Sequence, residues 1–140
     1  MLFSNILVAY DGSDLSKKAL IKAVEIVKET SSHHDTAPKL DVLHIVQDVS
    51  YVMGTAVTID PKLIQAVVDE ARQLVPAEVE AEFLVEYGQP ALTILKHADD
   101  KGSDLILMGS RGLGPIRELF LGSVSHNVVQ NAKLPVLIVK

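Results

Sequence analysis

The chain of 140 residues contains no cysteine, which excludes disulfides and thiolate chemistry together. It has no run of about eighteen apolar residues that could serve as a membrane span. Its start, Met1-Leu2-Phe3-Ser4-Asn5, lacks the charged head and long apolar stretch of a secretory signal, so a cytoplasmic location is expected. Basic residues are scarce: the net charge is −5 and there are only three arginines, a balance that argues against a general nucleic-acid or anionic-membrane surface. No Gly-x-Ser-x-Gly occurs, and no Ser-His-Asp arrangement can be read from spacing. The five histidines include no His-x-x-x-His pair; His33-His34 are neighbours in a polar stretch and His44, His97 and His126 are scattered, so no protein-held metal centre is expected. What the chain does have is apolar residues, 48% of the total, enough for one domain over residues 1–140 with a real core.

Those apolar residues alternate between two periods. Asn5 to Tyr10, Leu40 to Val46, Ala81 to Tyr87, Leu105 to Met108 and Pro135 to Val139 are short apolar runs of strand type. Between them lie helical patterns: about Asp14 to Thr30 with Ala19, Leu20, Ala23, Val24 and Val27 on one face, then a helix opened by Asp60-Pro61 and stopped near Pro76. A third helix runs from Pro90 to about Asp100 and a fourth from Ser123 to Asn131. Ser31 to Lys39 reads as a polar loop and Gln47 to Ile59 as an irregular stretch. Strand–helix alternation implies right-handed crossovers and an open parallel sheet of five strands with helices on both faces. In such a sheet ligands bind beyond the carboxyl ends of the strands, where the order reverses.

The segment with the strongest chemical signal follows the fourth strand. Gly109-Ser110-Arg111-Gly112, nine residues, then Gly122-Ser123 connects that strand to the last helix. Glycines permit close backbone approach to an anion, and a helix start adds positive potential, so this is a candidate phosphate cradle. Ser123 stands where it could cap the helix and also offer a hydroxyl. Arg111 and Arg117 place two of the three arginines in this loop, although each alone reads equally well as a solvated surface residue. No lysine lies between Gly109 and Gly122, so this is not a P-loop, and the turn after the first strand, Tyr10-Asp11-Gly12-Ser13, has too few glycines for a dinucleotide fingerprint. Asp11 reads either as a helix cap or turn former, or as a carboxylate facing a ligand at the strand end.

The Gly-x-x-Gly, nine residues, Gly-Ser pattern, with Met108 before it and Val124-Ser125 after it, resembles the universal stress protein family in its ATP-binding branch. The opening Tyr10-Asp11-Gly12-Ser13 resembles that family as well, and the likeness runs from Ile6 to Val139. It implies the strand order 3-2-1-4-5 of an adenine nucleotide alpha hydrolase-like fold, which sets the first and fourth strands side by side. It also implies an ATP site made by Tyr10, Asp11, Gly12 and Ser13, by Ile45 and Met108 near the adenosine, and by Gly109, Arg111, Gly112, Gly122, Ser123, Val124 and Ser125 at the phosphates. Mg²⁺ or Mn²⁺ would then be held through the phosphates. A homodimer through strand 135–139, apolar on both faces and at a sheet edge, follows from the same resemblance.

Two other readings compete. A phosphorylated receiver module would need an Asp at the end of the third strand, where the chain has Val85-Glu86-Tyr87-Gly88. A slow ATPase or nucleotidyl transferase would need a residue to orient an attacking water, and the sequence offers no clear candidate. Nucleotide binding without efficient turnover, in the service of a stress response, is the expectation.

Overall fold

The structure, a computed structural model, describes residues 1–47, 50–52, 55–57, 59–111 and 121–140, the backbone alone for 50–52 and 55–57. The elements are β1 (Asn5–Ala9), α1 (Asp14–His33), β2 (Lys39–Val46), β3 (Ser50–Val52), β4 (Thr55–Val57), α2 (Pro61–Leu74), β5 (Ala81–Tyr87), α3 (Pro90–Lys101), β6 (Leu105–Gly109), α4 (Ser123–Asn131) and β7 (Val136–Val139). Five of the strands form one parallel sheet in the order β5-β2-β1-β6-β7, which is the expected 3-2-1-4-5.

The pleat sorts alternate residues to opposite faces. Ile6, Val8, Leu40, Val42, Leu105 and Leu107 meet the apolar stripe of α1 and Ala71 of α2. Leu7, Leu43, Ile106 and Met108 meet Ala91, Ile94 and Ala98 of α3 and Val128 of α4. Both faces of β1 and β6 are thus covered, which is why their sequences are apolar without alternation.

The helix signals act as their chemistry dictates. Asp60 caps α2 by accepting the Lys62 N–H at 2.9 Å, with Pro61 at the first helical position. Gln89 does the same for α3 through Leu92 N at 2.7 Å, and Gly102, at φ +67°, closes that helix in the left-handed conformation.

Two expectations need correction. Helix α1 runs to His33 instead of stopping near Thr30, because Ser31 Oγ donates to Val27 O at 2.6 Å and Ser32 Oγ to Glu29 O at 2.7 Å. These serines bond back into the helix instead of breaking it. The stretch between β2 and α2 is not wholly irregular: β3 and β4 pair antiparallel with Tyr51 opposite Ala56. The signal was Val52 and Thr55 flanking two residues that include Gly54, but strands of three residues are too short to display a period.

One buried polar group ties α3 to the sheet edge. His97, 3% exposed, has Nδ1 2.9 Å from Glu86 Oε1 on β5 and Nε2 3.1 Å from Asp41 Oδ2 on β2. His97→Leu would strand Asp41 beside apolar neighbours. Loss of about 1–3 kcal/mol of stability is expected in urea unfolding, the cost of leaving a mostly buried acceptor without its hydrogen bond.

Candidate functional site

Strands β1 and β6 are neighbours in register Val8 to Leu107, so their carboxyl ends deliver Tyr10–Ser13 and Gly109–Arg111 to one crevice. The β1 side is a tight turn. Gly12 sits at φ +85°, a conformation L side chains rarely adopt. The Ser13 N–H donates to Asp11 Oδ1 at 2.9 Å, while Ser13 Oγ accepts the Ser16 N–H at 3.2 Å. Ser13, not Asp11, therefore caps α1. Asp11 shapes the turn through Oδ1, and Oδ2 accepts no hydrogen bond among the described residues. Ser16 Oγ donates to Ser13 O at 2.9 Å and lies 3.4 Å from the Asp11 N–H it accepts, which locks the turn onto the helix.

Tyr10 points away from the crevice. Its ring belongs to the core on the α1–α2 face, and its hydroxyl donates to Glu70 Oε1 of α2 at 2.6 Å. Burial, reinforced by the Glu70 carboxylate, pushes the phenol far above its ordinary range. The hydrogen bond from Tyr10, and then Lys17, holds Glu70 below the usual carboxylate value. The Tyr10 backbone is fixed as well: its N–H donates to Leu43 O at 2.9 Å and its carbonyl accepts from His44 Nδ1 at 2.9 Å. A carbonyl only accepts, so His44 Nδ1 is the donor of this bond. Sequence reasoning missed His44, whose signal was its place one residue before Ile45 near the end of β2.

The β6 side is a clasped loop. Gly109 is still in the strand, and a Cβ there would lie 2.7 Å from Leu15 Cβ and 2.9 Å from the Leu15 carbonyl carbon. Its glycine is demanded by the first turn of α1 resting on it. Gly122 donates its N–H to Ser110 O at 2.6 Å, and a Cβ on it would lie 3.2 Å from Arg111 Cα. Ser125 Oγ donates to the same Ser110 carbonyl at 2.7 Å, and Ser110 N–H to Val139 O at 2.9 Å. Neither Gly109 nor Gly122 takes a positive φ; both serve close approach. Gly122 is the cap residue of α4, so Ser123 is its first helical residue and not the cap expected. Among the described residues no side chain takes up the first N–H groups of α4.

Ile45 and Met108 lie on the same face of the sheet, packed into the α3–α4 core at the strand ends that border the crevice. Val124 packs against that core from α4. Gly112 and Arg117 lie outside the described residues, and Arg111 is half-buried at the loop's start. Among the described residues no group of His, Asp or Glu is placed to hold a metal ion, and no helix is long and apolar enough to cross a membrane. The crevice brings a carboxylate at one strand end beside the start of a helix tied to the next, which suits a ligand with hydroxyl groups at one end and anionic oxygens at the other.

The model of the universal stress protein family matches residues 2–140. The chain belongs to the universal stress protein family. Relatives in that family include universal stress protein YxiE of Bacillus subtilis, 37% identical over 99% of this chain and 100% of its own length. A Thermus aquaticus universal stress protein is also 37% identical, over 99% of this chain and all of its own. Among solved structures, universal stress protein UspA from Lactobacillus plantarum superposes with a TM-score of 0.77 at 25% identity, covering 100% of this chain and 99% of that one. A universal stress protein solved in complex with cAMP superposes at 0.74 with 27% identity, covering 100% and 98%.

The clasp yields a stability test independent of any ligand. Gly109→Ala forces the first turn of α1 to shift, because the atoms its Cβ would meet include backbone. A loss of about 1–3 kcal/mol in denaturant unfolding is expected, and a value near zero would show that α1 does not rest on this residue.

Proposed function

We propose that this protein binds an adenine nucleotide, ATP in particular, in the crevice beyond β1 and β6, and that its bound state serves as a signal in a cytoplasmic stress response. The observation that carries this reading is the start of α4 with glycine at its cap position, clasped to Ser110 beside the end of β6, next to the strand end that presents Asp11. Backbone N–H groups and the positive end of the helix dipole suit a polyphosphate. Asp11 Oδ2 suits ribose hydroxyls, which donate. Membership of the family supports the reading, as does a 27% identical relative solved with cAMP.

The roles divide by position. Asp11, held by Gly12 and Ser13, takes the ribose; Ile45 and Met108 lie by the adenosine. Gly109, Arg111, Gly112, Gly122, Ser123 and Val124 surround the phosphates, with Mg²⁺ or Mn²⁺ recruited through the nucleotide. Ser125 contributes its backbone and the clasp, since its hydroxyl hydrogen is already given to Ser110 O. Tyr10 contributes through its backbone alone.

Titration calorimetry tests this directly. Gly122→Val, whose side chain would meet the Arg111 backbone, is expected to lower ATP affinity at least about tenfold, or about 1.4 kcal/mol, with ATP harmed more than AMP. Asp11→Ala is expected to weaken ATP and AMP alike. Unchanged affinities in folded variants would overturn the assignment.

The same reading extends to a homodimer through β7. Pro135 O and Val139 O accept from Ile106 N–H and Ser110 N–H, so the alternate residues Val136 and Ile138 present their N–H groups to the open edge. Leu137 is 39% exposed there. An edge of this composition is covered in a soluble protein by pairing with another strand, here a second copy. Light scattering at micromolar concentration is expected to give twice the chain mass. Val136→Pro removes only an outward N–H and is expected to give monomers; a monomeric wild type would refute the edge pairing.

A further inference from the structure

Helix α2 is the most lightly buried of the three longer helices. Of its 14 residues only Val68 and Ala71 are buried, whereas α1 buries Ser16, Ala19, Leu20, Ala23, Val24 and Val27. Val67 and Leu74 add partly buried apolar contacts to the core on the α1–α2 face, and polar contacts to other elements supplement them. Arg72 stacks its guanidinium 4.6 Å from the centre of the Phe83 ring. Glu70 Oε1 accepts the Tyr10 hydroxyl at 2.6 Å and lies 3.3 Å from Lys17 Nζ of α1.

The Tyr10 end of that bond is the neighbour of Asp11, and Tyr10 has little freedom to move without it. Its ring is enclosed in the core, its N–H is committed to Leu43 and its carbonyl to His44. The Tyr10 hydroxyl is thus a side-chain link between α2 and the strand end that leads into the Asp11 turn. Because the phenol is held protonated and Glu70 ionised, the bond persists across the physiological pH range.

We propose that Tyr10 is a positioning residue that couples the docking of α2 to the orientation of Asp11, so that nucleotide in the crevice tightens α2 against the sheet. This rests on the nucleotide reading above. Coupling of two sites is reciprocal: a ligand that fixes the turn favours docked α2, and whatever pulls α2 away weakens the ligand. Helix α2 thereby becomes the element through which the bound state is read.

Amide hydrogen exchange with and without ATP provides the test. In the wild type ATP is expected to slow exchange both in residues 10–16 and along α2. Tyr10→Phe keeps the ring and loses the hydroxyl. It is expected to keep ATP protection in 10–16, lose it in α2 and bind ATP at least about fivefold more weakly. Glu70→Ala, at a half-exposed position, should reproduce that pattern, while Glu70→Gln retains an acceptor oxygen and should restore the α2 response. Should Tyr10→Phe not fold, the two Glu70 variants decide the matter. ATP protection of 10–16 without any change in α2, or an α2 response that persists in Glu70→Ala, overturns the coupling. Loss of the response in Glu70→Gln as in Glu70→Ala would show that the tyrosine bond does not carry it. If ATP protects neither segment of the wild type, the nucleotide reading itself falls, and the coupling with it.

Discussion

Asp104, just ahead of β6, accepts the backbone N–H groups of Ser4 and Asn5 at 2.8 and 3.1 Å, and its own N–H donates to Asn5 O at 2.8 Å. These bonds align the starts of β1 and β6 before either strand is under way. The parallel ladder then propagates that alignment to Val8 and Leu107. A slip of one residue would turn every side chain of β1 to the other face, exchanging Leu7 with Ile6 and Val8 in two separate cores. It would also carry Asp11 out of step with the end of β6. The crevice is a consequence of this single lateral pairing.

Above the pairing, small residues are used for contact. Gly109 is bare because Leu15 lies on it, and Gly122 is bare because Arg111 does. Each removes a side chain so that two backbone segments can approach, and the buried hydroxyl of Ser125 fills the space with a hydrogen bond instead of a hydrocarbon.

Much of the fold was legible. The five long strands announce themselves by apolar runs, and Asp60-Pro61 and Pro90 mark helix starts whose chemistry is local. The sheet order was not derivable from period and came from resemblance. What escaped was decided by competition between neighbouring polar residues. Asp11 and Ser13 are both good caps; Ser13 takes the role by accepting the Ser16 N–H, while Asp11 is engaged by the Ser13 N–H in the turn that Gly12 makes. Ser31 and Ser32 look like loop residues until their hydroxyls find helix carbonyls. The inward turn of Tyr10 needed a partner sixty residues away, Glu70, which no spacing rule connects. At the site, the glycine spacing points to close approach of an anion at Gly109 and Gly122, and the close approach the structure displays there is by atoms of the protein itself.

The separation in sequence of the two strands that make the crevice has a bearing on how the chain acquires it. The bonds from Asp104 to Ser4 and Asn5 span 100 and 99 positions. Closing a loop of that length is entropically costly and slow compared with forming α1 or pairing β1 with β2. During synthesis from the N-terminus, β1, α1 and β2 emerge long before β6, and α4 and β7 later still. The crevice is accordingly among the last features to form, and a ligand that binds there recognises a finished molecule, drawing the population toward it by mass action.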